Sequence, residues 1–126
     1  MDLLLDTHAF IWWDASNGQL SAAAAAEIGD PANRVYVSAA SIWEIAIKQR
    51  LGRLSFTGSP SRAVARNGFL SLPISGEHAE AAATLPPIHQ DPFDRLLIAQ
   101  SLARNLVLVT ADSFVKQYGG PQLPAR

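Results

Sequence analysis

The sequence predicts an α/β fold: a mainly parallel central sheet of four to five strands with helices on both faces. Three observations carry this. Short strand-like runs alternate with longer helix-like segments along the whole chain, the pattern of crossover connections in a parallel sheet. The first such run, Leu3 to Leu5, is too apolar for a half-exposed strand and suits a sheet covered on both sides. Gly, Pro and Asn-Gly stand mostly at the starts and ends of the segments.

The elements follow in order. Leu3 to Asp6 reads as the first strand. Asp6 or Thr7 can cap a helix through Ala9 to Asp14, before the Asn17-Gly18 turn. Ser21 opens the Ala-rich second helix, closed by Gly29 and Pro31. Val35 to Val37 is the second strand, and Ser41 to Leu51 the third helix, ended by Gly52. Ser59-Pro60 starts a fourth helix that stops at Asn67-Gly68. Phe69 to Leu72 is the third strand, and Ser75 to Leu85 a helix stopped by Pro86-Pro87. Asp91 to Arg104 is the clearest helix, with Pro92 at its first position. Val107 to Thr110 is the fourth strand, Asp112 to Tyr118 a short last helix, and Gln122 to Leu123 a weak edge strand. No linker, repeat or charge block interrupts the series, so residues 1–126 read as one domain.

Composition narrows the function classes. A chain of 126 residues, 48% of them hydrophobic, can bury one core. There is no Cys, which excludes a disulfide framework and thiolate-held zinc and suits a reducing compartment. No stretch reaches the ~18 apolar residues of a membrane span. The acidic N-terminus enters a strand at once, unlike a signal peptide, so a cytoplasmic protein is expected. The net charge of −1 argues weakly against nucleic acid. Setting four acids aside as metal ligands leaves seven against ten basic residues, a balance that permits a phosphate-bearing substrate.

Those four acids are Asp6, Glu44, Asp94 and Asp112. Asp6 and Asp112 follow strand ends, while Glu44 and Asp94 lie near helix starts. In an open α/β sheet such positions share the carboxyl edge, where ligands bind. Carboxylates gathered there repel one another unless a cation holds them, which points to a divalent metal.

Each acid also has a plain structural reading. Ser41 with Glu44 matches the capping box S-x-x-E, and Lys48 stands at i+4 to Glu44. Asp91 reads as an N-cap, and Asp94 then complements the positive helix end. Asp112 can cap the last helix, and Asp6 can end its strand in a turn. Two features weigh against these readings. Asp94 shares the apolar side of its helix with Leu97 and Ile98 and has no Lys or Arg at i±3 or i±4. Several acids on one sheet edge also exceed what capping requires.

The remaining polar residues carry less. His8, His78 and His89 are scattered and lack zinc-site spacing. Ser38, Ser41 and Thr110 have no Ser-His-Asp context and suit hydrogen bonds to nearby carboxylates. Lys48, Arg50 and Arg53 form a small basic stretch, either a solvated helix face or a phosphate contact. Trp12, Trp13 and Trp43 are core residues by default. The adjacent pair Trp12-Trp13 cannot both face one interior, so one ring is expected at an interface.

LLLDTHAFIWW, SAASIWEIAIK, DPFDRLLIAQ and LVTADSF together resemble the PIN-domain nucleases, and more closely the VapC-type toxins of bacterial toxin–antitoxin pairs. The resemblance spans nearly the whole chain. It implies a PIN-like three-layer fold and acids that hold Mg²⁺ or Mn²⁺ for hydrolysis of RNA phosphodiesters. Matched residue by residue, the strand-end acid is Asp6, the helix acid Glu44, the third Asp94 and the fourth Asp112, with Thr110 beside it. Thr7 and Ser41 stand next to these acids as supporting residues. The resemblance also implies an antitoxin partner and a homodimer.

Carboxylates are hard ligands that suit Mg²⁺ and Mn²⁺, and metal-activated water needs no side-chain nucleophile. Asp6 and Asp94 are expected as direct ligands, Glu44 as a ligand or an orienter of water, and Asp112 as a ligand through water or to a second metal. Three other readings compete. A phospho-receiver domain requires a phospho-accepting Asp at a middle strand end, where this chain has Ser38 and Leu72-Pro73. A haloacid-dehalogenase-like phosphatase requires a second Asp where His8 stands. A catalytically silent PIN-like module that only binds a partner would not need the four acids.

Overall fold

The computed structural model describes residues 1–126. Its sheet has five strands: β1 (Asp2–Leu5), β2 (Arg34–Ser38), β3 (Leu70–Leu72), β4 (Val107–Thr110) and β5 (Gln122–Pro124). They lie in the order β3-β2-β1-β4-β5, and every pairing is parallel. The edge strand expected at Gln122 to Leu123 is therefore a fifth member of the sheet. Seven helices join the strands: α1 (Thr7–Ala15), α2 (Ala22–Gly29), α3 (Ala39–Arg50), α4 (Pro60–Arg66), α5 (Gly76–Thr84), α6 (Pro92–Arg104) and α7 (Ser113–Lys116). None is long and apolar enough to cross a membrane.

Both sheet faces are covered. Leu3, Leu5, Val35, Val37 and Val109 point into one core with Phe10, Ile28, Ile45 and Val64 from the helices. Leu4, Leu72 and Leu108 point into the other, against Leu97, Ile98 and Val115. Successive strand residues face opposite sides, so an uninterrupted Leu run fills two cores at once.

The topology decides where a ligand can sit. The chain starts at the central strand, builds outward through β2 to β3, then returns to place β4 on the other side of β1. The connections leaving β1 and β4 diverge, opening a crevice at their carboxyl ends. Register brings those ends level: Leu5 pairs with Val109, and the Asp6 amide donates to the Val109 carbonyl at 3.0 Å.

Two boundaries differ from expectation in ways that matter. The first strand ends at Leu5, because Asp6 leaves the sheet and caps α1. The third helix starts at Ala39, not Ser41. Ser38 is its N-cap, accepting from the Ala40 amide at 3.0 Å. The Ser41–Glu44 capping box does not form, and Glu44 lies in the second turn, inside the helix. Strand β2 runs into α3 with no intervening loop, so the last strand residue does the capping.

Candidate active site

Helix caps place Asp6, Asp94 and Asp112, and side-chain partners fix Glu44. Asp6 Oδ1 accepts from the Ala9 amide at 2.7 Å, an N-cap bond that pins the carboxylate at the mouth of β1. Asp112 does the same for α7, taking the Phe114 and Val115 amides on Oδ1 at 2.8 and 3.2 Å. Its own amide donates to Thr110 Oγ1 at 3.1 Å. Asp91 caps α6 through the Phe93 and Asp94 amides, at 2.8 and 3.1 Å, which sets Asp94 in the first turn. Glu44 is buried, and both its oxygens have partners. Thr7 Oγ1 donates to Oε1 at 2.7 Å, and Lys48 Nζ lies 2.7 Å from Oε2. Ser41 Oγ pairs with the same Thr7 hydroxyl at 3.0 Å.

Asp6, Glu44, Asp94 and Asp112 all line one cleft of about 380 Å³, together with Thr7, Lys48, Asp91 and His89. Capping and convergence are not rival explanations here, because at Asp6 and Asp112 the cap bonds engage Oδ1 alone while both residues line the cleft. Arg50 and Arg53 are exposed and do not line the cleft; only Lys48 of the expected basic stretch reaches it. Residue 48 lies one helical turn beyond Glu44 on the same face, whereas residue 50 is rotated ~200° from it and residue 53 lies past the end of α3. Arg126 is the second basic side chain at the cleft, its guanidinium 5.3 Å from the Trp12 ring.

The electrostatics are those of a site short of positive charge. Burial pushes the Asp6 carboxyl above its ordinary range, opposed by the Ala9 amide and the Thr110 hydroxyl and reinforced by Asp112. Asp94 is pushed up to about 6, first by burial and then by the Asp91 charge, with the His89 hydrogen bond pulling the other way. Such crowding is relieved by a cation or by protons.

His89 is the residue that sequence reasoning missed. Its Nε2 lies 2.8 Å from Asp94 Oδ2 and 3.5 Å from Asp112 Oδ2. Residue 89 precedes the helix, five positions before Asp94, where no helical periodicity signals a shared face. Trp43 also departs from expectation. Trp43 is 60% exposed and packs edge-on against Phe93, while Trp12 and Trp13 are both half-buried against the first core. Trp43 directly precedes the inward Glu44, so the helix turns its ring toward solvent.

The donor set fits a hard divalent cation. Ligand atoms of His89, Asp94 and Asp112 lie within 4.8 Å of one another, and carboxylate oxygens predominate around the cleft. Asp6 and Glu44 line the same cleft without belonging to this three-residue group.

Comparison with known proteins agrees with this architecture. The fold matches that of a toxin–antitoxin complex from Klebsiella pneumoniae, with a TM-score of 0.66 and 20% identity over 98% of each chain. It matches VapBC2 from Rickettsia felis, crystallised with a DNA fragment from the promoter, with a TM-score of 0.71 and 14% identity over 98% of each chain. It also matches FitAcB from Neisseria gonorrhoeae, with a TM-score of 0.60 and 19% identity over 99% of this chain and 98% of the other. No curated protein matches the sequence. The PIN domain model matches residues 3–120, which takes in all four acids and strands β1 to β4 from Leu3 onward and leaves out β5, and the chain belongs to the PIN domain family.

Proposed function

We propose that this protein is a Mg²⁺- or Mn²⁺-dependent endoribonuclease and the toxin of a toxin–antitoxin pair. One observation carries the reading: four carboxylates from four separate segments converge on the carboxyl-edge crevice of a PIN domain. The likeness in fold to chains from toxin–antitoxin complexes supports the biological role.

A divalent cation bound there supplies Lewis acidity toward a phosphodiester and makes water more acidic at neutral pH. The chain's own residues do the rest. Asp6, at the mouth of β1, and Asp94, in the first turn of α6, would hold the cation. Glu44 is fixed by Thr7 and Lys48, and its carboxylate orients the attacking water and accepts its proton. Lys48 and Arg126 are the basic side chains at the cleft, placed to meet the substrate phosphates. No hydroxyl or thiol nucleophile is required.

An antitoxin segment bearing a basic side chain would occupy the same acidic cleft and block the phosphate's place. A second copy of the chain is the expected homodimer partner, supported by exposed Trp43 on α3 and exposed Leu51 at its C-cap. Light scattering tests that state.

The decisive experiment incubates purified protein with a panel of structured RNAs, with Mg²⁺ or Mn²⁺, then with chelator, and with Asp6→Asn as control. Cleavage that stops on chelation and in the variant is expected. Intact RNA under all conditions with folded protein would leave the silent binding module as the better reading.

A further inference from the structure

The cleft's acids account for an oxygen-only site, but the segment carrying His89 is built more firmly than such a site needs. The His89 amide donates to the Tyr118 hydroxyl at 2.8 Å, and its carbonyl accepts from Arg95 Nη1 at 3.0 Å. Arg95 also takes the carbonyls of Ala82, Leu85 and Pro86, fixing the whole connection between α5 and α6. The imidazole stacks on Phe114, with ring centroids 5.4 Å apart and planes at 27°. Backbone and ring are thus both held, and Nε2 is aimed at the free oxygens of Asp94 and Asp112.

We propose that His89 is itself a ligand of the divalent cation, through Nε2, completing with Asp94 and Asp112 a mixed nitrogen–oxygen site that favours Mn²⁺ over Mg²⁺. The inference rests on the metal-dependent reading above and adds a ligand and a metal preference to it.

Donor spacing supports it. An octahedral ion with bonds of about 2.1–2.2 Å sets adjacent donors about 3 Å apart and opposite donors about 4.3 Å apart. The His89–Asp94 and His89–Asp112 separations of 2.8 and 3.5 Å are those of adjacent donors, and all three atoms lie within 4.8 Å of one another. Without a cation the same geometry serves as a hydrogen bond from imidazole to Asp94, which keeps the ligands gathered. Imidazole nitrogen adds little for Mg²⁺, which prefers oxygen and gives up water reluctantly. It adds more for Mn²⁺ and the later first-row ions.

The test uses Mn²⁺ alone as the probe, with pulsed EPR as the readout. Wild-type protein loaded with Mn²⁺ is expected to show modulation from a directly bonded ¹⁴N. His89→Phe keeps the stack on Phe114 and removes the donor. It should lose the modulation and weaken Mn²⁺ binding about 10-fold or more, with a smaller effect on Mg²⁺. His8, which also lines the cleft, provides the control: His8→Asn should keep the modulation. Tight Mn²⁺ binding without ¹⁴N modulation, or unchanged Mn²⁺ affinity in His89→Phe, would overturn the proposal and leave metal dependence standing. Modulation lost in His8→Asn but kept in His89→Phe would overturn it as well. Absence of binding by either metal would remove both readings. Should His89→Phe fail to fold, the wild-type and His8→Asn spectra still decide.

Discussion

Thr7 Oγ1 donates to Glu44 Oε1 at 2.7 Å, joining the start of α1 to the middle of α3 across 37 residues of sequence. This bond fixes the orientation of a buried carboxylate that has one other partner, Lys48. Thr7→Val keeps the shape and removes the donor, leaving Glu44 Oε1 unsatisfied. We expect a loss of about 1–3 kcal/mol in urea unfolding, the cost of orphaning a buried acceptor. Unchanged stability would mean that water replaces the hydroxyl.

Arg95 offers a separate test of how the site is supported. Its planar fork serves four backbone carbonyls and the Tyr118 hydroxyl, which a single ammonium cannot reproduce. Arg95→Lys should lower stability by about 2–3 kcal/mol. It should also weaken Mn²⁺ binding although residue 95 touches no metal ligand side chain. Calorimetric titration with Mn²⁺ checks the second effect.

The shift at Asp94 sets a pH dependence for chelator-treated protein. Its folded-state pKa of about 6 lies above the ordinary 3.8, so the native state holds more protons than the unfolded chain between those values. Stability from this group is full below pH 4 and is lost as pH rises through about 6. Melting temperature measured in chelator should therefore fall across that window, more steeply in wild type than in Asp94→Asn. Equal slopes for the two proteins would reject the assignment.

Metal should act in the opposite sense. A cation that binds only the folded state at 100 times its dissociation constant stabilises by about 2.7 kcal/mol. Millimolar Mn²⁺ or Mg²⁺ should raise the melting temperature at pH 7, and Asp6→Asn should reduce the rise. The same substitution relieves burial and the Asp112 repulsion at Asp6, so the chelated variant should melt no lower than wild type. A full metal-induced rise in Asp6→Asn would remove Asp6 from the ligand set.

Asp94→Asn should reduce RNA cleavage at least about 100-fold while the fold persists, since the change is nearly isosteric and removes a charge that the site needs. Circular dichroism establishes the fold, and a gel-based cleavage assay the loss.

Much of this arrangement was legible from residue order. Alternating strands and helices, the Asp91-Pro92 cap and the position of Asp94 after it depend on local chemistry, and they appear where the residues put them. The site's edge was legible too, because acids that follow strands or open helices must lie at the carboxyl end of a parallel sheet. The Ser41–Glu44 cap was misread for a local reason. Two serines three residues apart could each start α3, and only the abrupt end of β2 selects Ser38.

Residue order sets the α/β class, the two-faced burial of the central strands and the set of acids. These follow from periodicities and caps that operate within a few residues. Tertiary structure alone decided that β4 lies beside β1, which brings Asp112 level with Asp6. It also brought His89 to Asp94 and Asp112, put Thr7 against Glu44, and turned Trp43 outward while half-burying Trp12 and Trp13. Strand order and the path of the α5–α6 connection are set by packing over long separations. Their energy is spread across two cores and a single Arg95 network, so no short stretch of residues encodes them.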